Sequence, residues 1–266
     1  MNFFDRLERR IEATNSIVCI GLDPDQSRLP NSVLDHDLPR WAFNRQVIDA
    51  THEYAAAYKP NAAFYEDSDG WKALKETIAY AQGKNVPVIV DAKRADIGNT
   101  ARQYANLLED ADAITVNPYM GRDSLQPFLS NRNSGVFILC RTSNSGGADI
   151  QEQELTDGRR VFELTADLAA SWNNNDNVGL VVGATAPDEL EMIRERVPDL
   201  PFLVPGVGAQ GGDMKAAATY GPAHEVGLVN STRGIIFAWE EYGEQAFPDA
   251  VASAARSLKQ NLNQYR

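Results

Sequence analysis

Eight short apolar runs, separated by helix-like stretches from one end of the chain to the other, leave this sequence very few folds. The runs are IVCIGLD (17–23), AAAYKPN (55–61), VPVIVDAK (86–93), AITVNP (113–118), GVFILCRTS (135–143), VGLVVGAT (178–185), PFLVPGVG (201–208) and EVGLVN (225–230). Most are continuous and rich in Val, Ile and Leu rather than alternating, which is the pattern of parallel strands covered on both faces. The stretches between them carry helix signals. DSDGWKALKETIAYAQGKN opens on Asp and Ser capping residues and closes near Gly83, and PDELEMIRERV begins with Pro187 followed by two acids. LPRWAFNRQVIDATHEYA and TDGRRVFELTADLAASWNNN place apolar residues near helical spacing. Eight βα units in 266 residues predict an α/β fold, a single (β/α)8 TIM barrel occupying 1–266 as one catalytic domain. An open doubly wound sheet is the structural alternative.

A barrel gathers its chemistry where the strands end, because the βα loops meet there. Polar residues stand at those places: Asp23, Lys59, Asn61, Asp91, Lys93, Asn117, Arg141, Thr142, Ser143, Gln210 and Arg233. The sharpest group is VIVDAKRADIGNT (88–100), an apolar strand running into Asp91, Lys93, Arg94 and Asp96. Side chains alternate along a strand, so Asp91 and Lys93 are expected on one face. Asp96 lies beyond the strand, and periodicity does not say which pocket it serves. A structural ion pair is the bland reading of Asp91 and Lys93, but desolvation makes a buried pair a poor source of stability. The second group is VPGVGAQGG (204–212). Its glycines leave backbone N–H groups open, the following GDMKAAATY reads as a helix whose N-terminus suits an anion, and Arg233 follows in the next strand region. That combination predicts a phosphate site after strands seven and eight. It is neither a GxGxxG dinucleotide fingerprint nor a Walker loop.

Charge and cysteine content narrow the partners. A net charge of −12 argues against nonspecific binding to nucleic acid or to anionic membranes. No apolar run reaches the ~18 residues of a membrane span, and the N-terminal MNFFDRLERRIEATN lacks the apolar core of a signal peptide. Cys19 and Cys140 sit within apolar runs and read as buried thiols in a reducing cytoplasm. The three histidines are scattered, and no Cys/His cluster calls for zinc.

On these residues the chain resembles the orotidine 5′-phosphate decarboxylase family, in its longer bacterial-type branch. DAKRADIGNT fits the family's D-x-K-x-x-D-I-x-x-T motif, PGVGAQGG fits its phosphate loop, and LDPD, KPNAAFYE and CRTSN match other strand ends. One departure is Ser145, in TSNSGG, where the family pattern has proline. The resemblance implies a decarboxylase free of cofactor and metal that converts orotidine 5′-monophosphate (OMP) to UMP and CO2 in pyrimidine biosynthesis. It implies catalytic roles for Lys93, Asp91, Asp96 and Lys59. Substrate contacts would come from Asp23, Lys59, Ile97, Thr100, Ser143, Gln210, Gly211 and Arg233. It also implies a homodimer in which Asp96, with Ile97 and Thr100, serves the neighbouring subunit's site. Two rivals remain at this stage. One is a magnesium-dependent keto-sugar-phosphate decarboxylase or aldolase of the same barrel type, which would want an acid on strand two, where this chain has Lys59-Pro60-Asn61. The other is a non-catalytic nucleotide-binding barrel.

Overall fold

All eight apolar runs form parallel strands: β1 (Val18–Gly21), β2 (Ala57–Lys59), β3 (Ile89–Arg94), β4 (Ala113–Val116), β5 (Gly135–Arg141), β6 (Val178–Val182), β7 (Phe202–Pro205) and β8 (Leu228–Ser231). The computed structural model describes residues 1–208 and 211–266. The sheet runs in the order β2-β1-β8-β7-β6-β5-β4-β3. It is brought round into a barrel by two single bridges between the end strands, Tyr58 with Val88 and Asn61 with Asp91. At that seam the Tyr58 N–H donates to the Pro87 carbonyl and the Asp91 N–H to the Pro60 carbonyl, each at 2.9 Å. Proline has no N–H to return, so the β2–β3 junction is the thinnest of the eight. The open-sheet alternative is set aside.

The strands are buried because helices cover them outside and side chains fill them inside; β1, β4 and β6 are buried at every position. The expected helices form at Pro39–Thr51, Ser68–Gly83, Val161–Trp172 and Pro187–Arg196, and the chain opens on a further helix, Phe3–Thr14. Ser68–Gly83 starts on Asp67, whose carboxylate accepts from the Gly70 N–H at 2.6 Å. Pro187–Arg196 carries Asp188 and Glu189 in its first turn and Arg194 and Arg196 in its last, in step with the helix dipole.

The N-terminal helix closes the end of the barrel opposite the strand C-termini. Phe3 and Phe4 stand edge-on to Phe137 of β5, with ring centroids 5.9 and 5.7 Å away, and Arg6 pairs with Asp112, just before β4, at 3.0 Å. Gly135 makes room for this plug, since a Cβ there would lie 2.4 Å from the Phe3 ring. Cys19 and Cys140 are buried and unpaired. Among the described residues no helix is long and apolar enough to cross a membrane.

Candidate active site

The polar residues predicted at strand ends converge most tightly between β2 and β3. Lys59, the last residue of β2, places Nζ 2.7 Å from Asp91 Oδ2, and Lys93 places Nζ 2.6 Å from Asp91 Oδ1. One carboxylate therefore holds two ammonium groups. The Lys59 and Asp91 side chains are only 6% and 11% exposed, whereas Lys93 is 47% exposed. Lys93 is thus the member of the array that a bound molecule reaches first. Asp23, after β1, lies beside this array and accepts from the Asn61 N–H at 3.2 Å.

Alternation alone does not bring Lys93 to the face of Asp91. The β3–β4 register shifts between Val90 and Arg94, and Lys93 has φ +49°, in the left-handed region. A bulge, in a conformation unfavourable by roughly 1–2 kcal/mol for a non-glycine residue, turns the lysine towards its partner. Thr115, on β4 and buried, meets this bulge. Its Oγ1 donates to Asp91 Oδ1 at 2.8 Å and accepts from the Lys93 backbone N–H at 3.0 Å. Sequence reasoning passed over Thr115, although a lone hydroxyl inside the apolar AITV was the available signal. It also passed over Tyr65, whose buried hydroxyl donates to the Leu22 carbonyl at 2.7 Å and fixes the chain just before Asp23.

The charges shift one another's titration. Burial works to raise the Asp91 carboxyl, but Lys59 and then Lys93 outweigh it and hold the group well below the usual carboxylate range. Burial works to lower Lys59, and Asp91 and Asp23 reverse that and push it above the ordinary lysine value. Asp23 goes the other way, since burial raises it despite the pull of Lys59.

Beside this array, a cavity of about 370 Å³ is lined by Asp23, Arg28, Phe64, Gly206, Arg233 and Gly234, among others. Arg233 begins the short helix Arg233–Ile236 and is exposed. First-turn N–H groups have no intrahelical partner, so those of Arg233 and Gly234 can serve an anion. Two N–H groups that the sequence left open among the described glycines are already taken. Gly211 donates its N–H to the Gly208 carbonyl at 2.8 Å, and Gly212 donates to the Gly206 carbonyl at 3.0 Å. The predicted helix after the loop forms at Met214–Tyr220, but Asp213 caps it by accepting from the Ala216 N–H at 2.9 Å. That carboxylate takes one of the helix's free N–H groups. Gln210 lies outside the described residues.

The remaining residues divide clearly. Ser143 stands at the end of β5, where its carbonyl accepts from Thr185 Oγ1 at 3.0 Å. Arg141 serves the loop after β5, pairing with Glu152, and Asn117 caps the turn after β4 by accepting from the Tyr119 N–H at 3.0 Å. Asp96, Ile97 and Thr100 sit apart from the array. Asp96 accepts only from the adjacent Ile97 N–H among the described residues, at 2.8 Å, while Ile97 is 57% exposed. Among the described residues no group of three or more His, Cys, Asp and Glu side chains is arranged to hold a metal.

Comparison with known proteins agrees with this geometry. Residues 16–242 match the family model described as orotidine 5′-phosphate decarboxylase / HUMPS family. The chain is 64% identical to the orotidine 5′-phosphate decarboxylase of Halorubrum lacusprofundi and 43% identical to that of Ralstonia pickettii, in both cases across 100% of each chain. Among solved structures it is similar to the OMP decarboxylase of Leishmania donovani, with a TM-score of 0.85 and 41% identity over 100% of this chain and 98% of that one. By motif, by barrel and by full-length relatedness, the chain belongs to the orotidine 5′-phosphate decarboxylase / HUMPS family.

Proposed function

We propose that this protein is a carboxy-lyase that converts OMP to UMP and CO2, with residues 1–266 acting as one catalytic domain. The observation that carries the reading is the Lys59–Asp91–Lys93 array beside a cavity with Arg233 on its wall. OMP carries a pyrimidine carboxylate at one end and a phosphate at the other, and the two features match them. When the bond from C6 to the carboxylate breaks, its electron pair stays on C6 with little resonance support. The Lys93 ammonium stabilises that charge and then gives C6 its proton. Asp91, held ionised by its lysines, faces the substrate carboxylate and disfavours the ground state. Lys59 fixes Asp91 and, with Asp23, contacts the ribose hydroxyls. Ser143 reads the pyrimidine edge. Arg233 holds the phosphate, with Gln210 and Gly211 completing that end of the site. Phosphate binding energy is then available to order the reacting end.

The working unit in this reading is a homodimer. Asp96 is left out of its own subunit's array, and Ile97, Tyr119 and Met120 are exposed apolar residues on the loops after β3 and β4. Such residues favour burial against a second copy, where Asp96, Ile97 and Thr100 reach the partner's site. Two unpaired thiols support a reducing compartment, the cytoplasm. The magnesium-dependent rival would need an acid where Lys59 already binds Asp91.

The deciding assay follows the loss of OMP absorbance with EDTA present and no cofactor added. Turnover is expected, and it should fall about a thousandfold or more in Lys93→Ala, in line with removal of a general acid that also stabilises charge. Activity abolished by EDTA and restored by magnesium would instead support the rival. UMP binding without OMP turnover would support a non-catalytic barrel.

A further inference from the structure

The geometry points to Thr115 as the positioning residue that aims the Lys93 ammonium, an inference that rests on the decarboxylase reading above. The register shift of β3 takes the Lys93 N–H out of the regular ladder with β4. A backbone donor in this setting needs an acceptor, and Thr115 Oγ1 supplies it at 3.0 Å. A hydroxyl has one proton and two lone pairs. Because the Lys93 N–H can only donate, it takes a lone pair, and the Thr115 proton is left to point at Asp91 Oδ1, 2.8 Å away. One side chain thereby fixes both ends of the Asp91–Lys93 pair: the carboxylate that the ammonium binds and the backbone from which the lysine extends. Thr115 is itself 1% exposed, so packing holds its own position. The left-handed φ of Lys93 is the kind of conformation that persists only where its surroundings over-determine it. Asp91 keeps its link to Lys59 without the hydroxyl. Loss of Thr115 Oγ1 therefore acts on Lys93 first.

The test compares Thr115→Val, which keeps the shape and deletes the hydroxyl, with Thr115→Ser, which keeps the hydroxyl. A misplacement near 1 Å at a reacting group costs on the order of a hundredfold. The valine variant is expected to lose about 10- to 100-fold in kcat with KM for OMP within about threefold of wild type. The serine variant should stay within about threefold of wild type in both. Crystal structures of the two variants should show Lys93 departing from its left-handed φ, or its Nζ from Asp91, in the valine protein alone. Should the valine variant not be recovered folded, Thr115→Ala against Thr115→Ser gives the same contrast. Wild-type kcat in the variant lacking the hydroxyl, or an equal kcat loss in the serine variant, overturns the assignment. Wild-type protein inactive on OMP would overturn the decarboxylase reading alone; the crystallographic comparison would still decide whether Thr115 holds the bulge.

Discussion

Asp91 is the residue on which the site's electrostatics turn. Its two oxygens take two ammonium groups and a hydroxyl, and breaking such a buried arrangement typically costs about 3–5 kcal/mol. The sign of its pH dependence follows from the depressed carboxyl. Its contribution is present above the unfolded carboxylate value, about 3.9, and is lost as pH falls through the lower folded value. Lys59, raised, contributes below the unfolded lysine value and loses that contribution as pH rises through the folded one. Asp23, also raised, takes its proton before Asp91 on acidification. Asp91→Asn is accordingly expected to lower stability by about 3–5 kcal/mol at pH 7. The deficit should shrink as pH drops below about 4. Urea unfolding at pH 7 and pH 3 checks this, and an equal deficit at both would contradict it.

At the scale of elements, Gly206 and Gly212, between β7 and Met214–Tyr220, are set by close backbone approach. A Cβ on Gly212 would lie 2.6 Å from the Gly206 carbonyl oxygen and 2.7 Å from the Ala184 Cβ, nearer than real Cβ contacts come. Gly212→Ala must displace the loop from Gly206, on the cavity wall with Arg233. We expect kcat/KM for OMP to fall at least about tenfold, while turnover of phosphate-free orotidine, expected to be slow in wild type, changes by less than about threefold. Equal proportional losses on both would separate this loop from the phosphate. The strands and several of the helices were readable in the sequence, because continuous Val/Ile/Leu runs and capped helices are local signals, whereas Gly98–Ala105, Arg122–Leu129 and Asp249–Leu262 were not picked out. The bulge at Lys93 was not, since no glycine or asparagine marks that left-handed position. Nor was the pairing of the glycines after β7, where the Gly211 N–H is taken by the Gly208 carbonyl rather than left open. Thr115 acts only across two strands, and a contact of that kind has no local pattern.

At the scale of the whole molecule, the proposed dimer makes each site a joint product of two chains. Lys93→Ala and Asp96→Ala, each nearly inactive alone, are expected to regain activity when mixed under subunit exchange. Each heterodimer then has one site with both defects and one with neither, so an even mixture should approach a quarter of wild-type activity by random pairing. No recovery despite demonstrated exchange would argue against a shared site.

The seam between β2 and β3 bears on how such a barrel can be changed. Lys59 and Asp91 stand on opposite sides of the junction with the fewest backbone links, so the ion pair assigned to substrate also clasps the barrel shut. In many enzymes a catalytic residue can be replaced with little harm to the scaffold. Here a single replacement at either position removes a tool and a fastener together. Redesign of this barrel for other chemistry should therefore exchange the pair as a unit, for instance for two apolar residues of matched volume. By the same logic, drift towards a new substrate is easiest at Arg233 and the loop after β5, which carry no part of the closure.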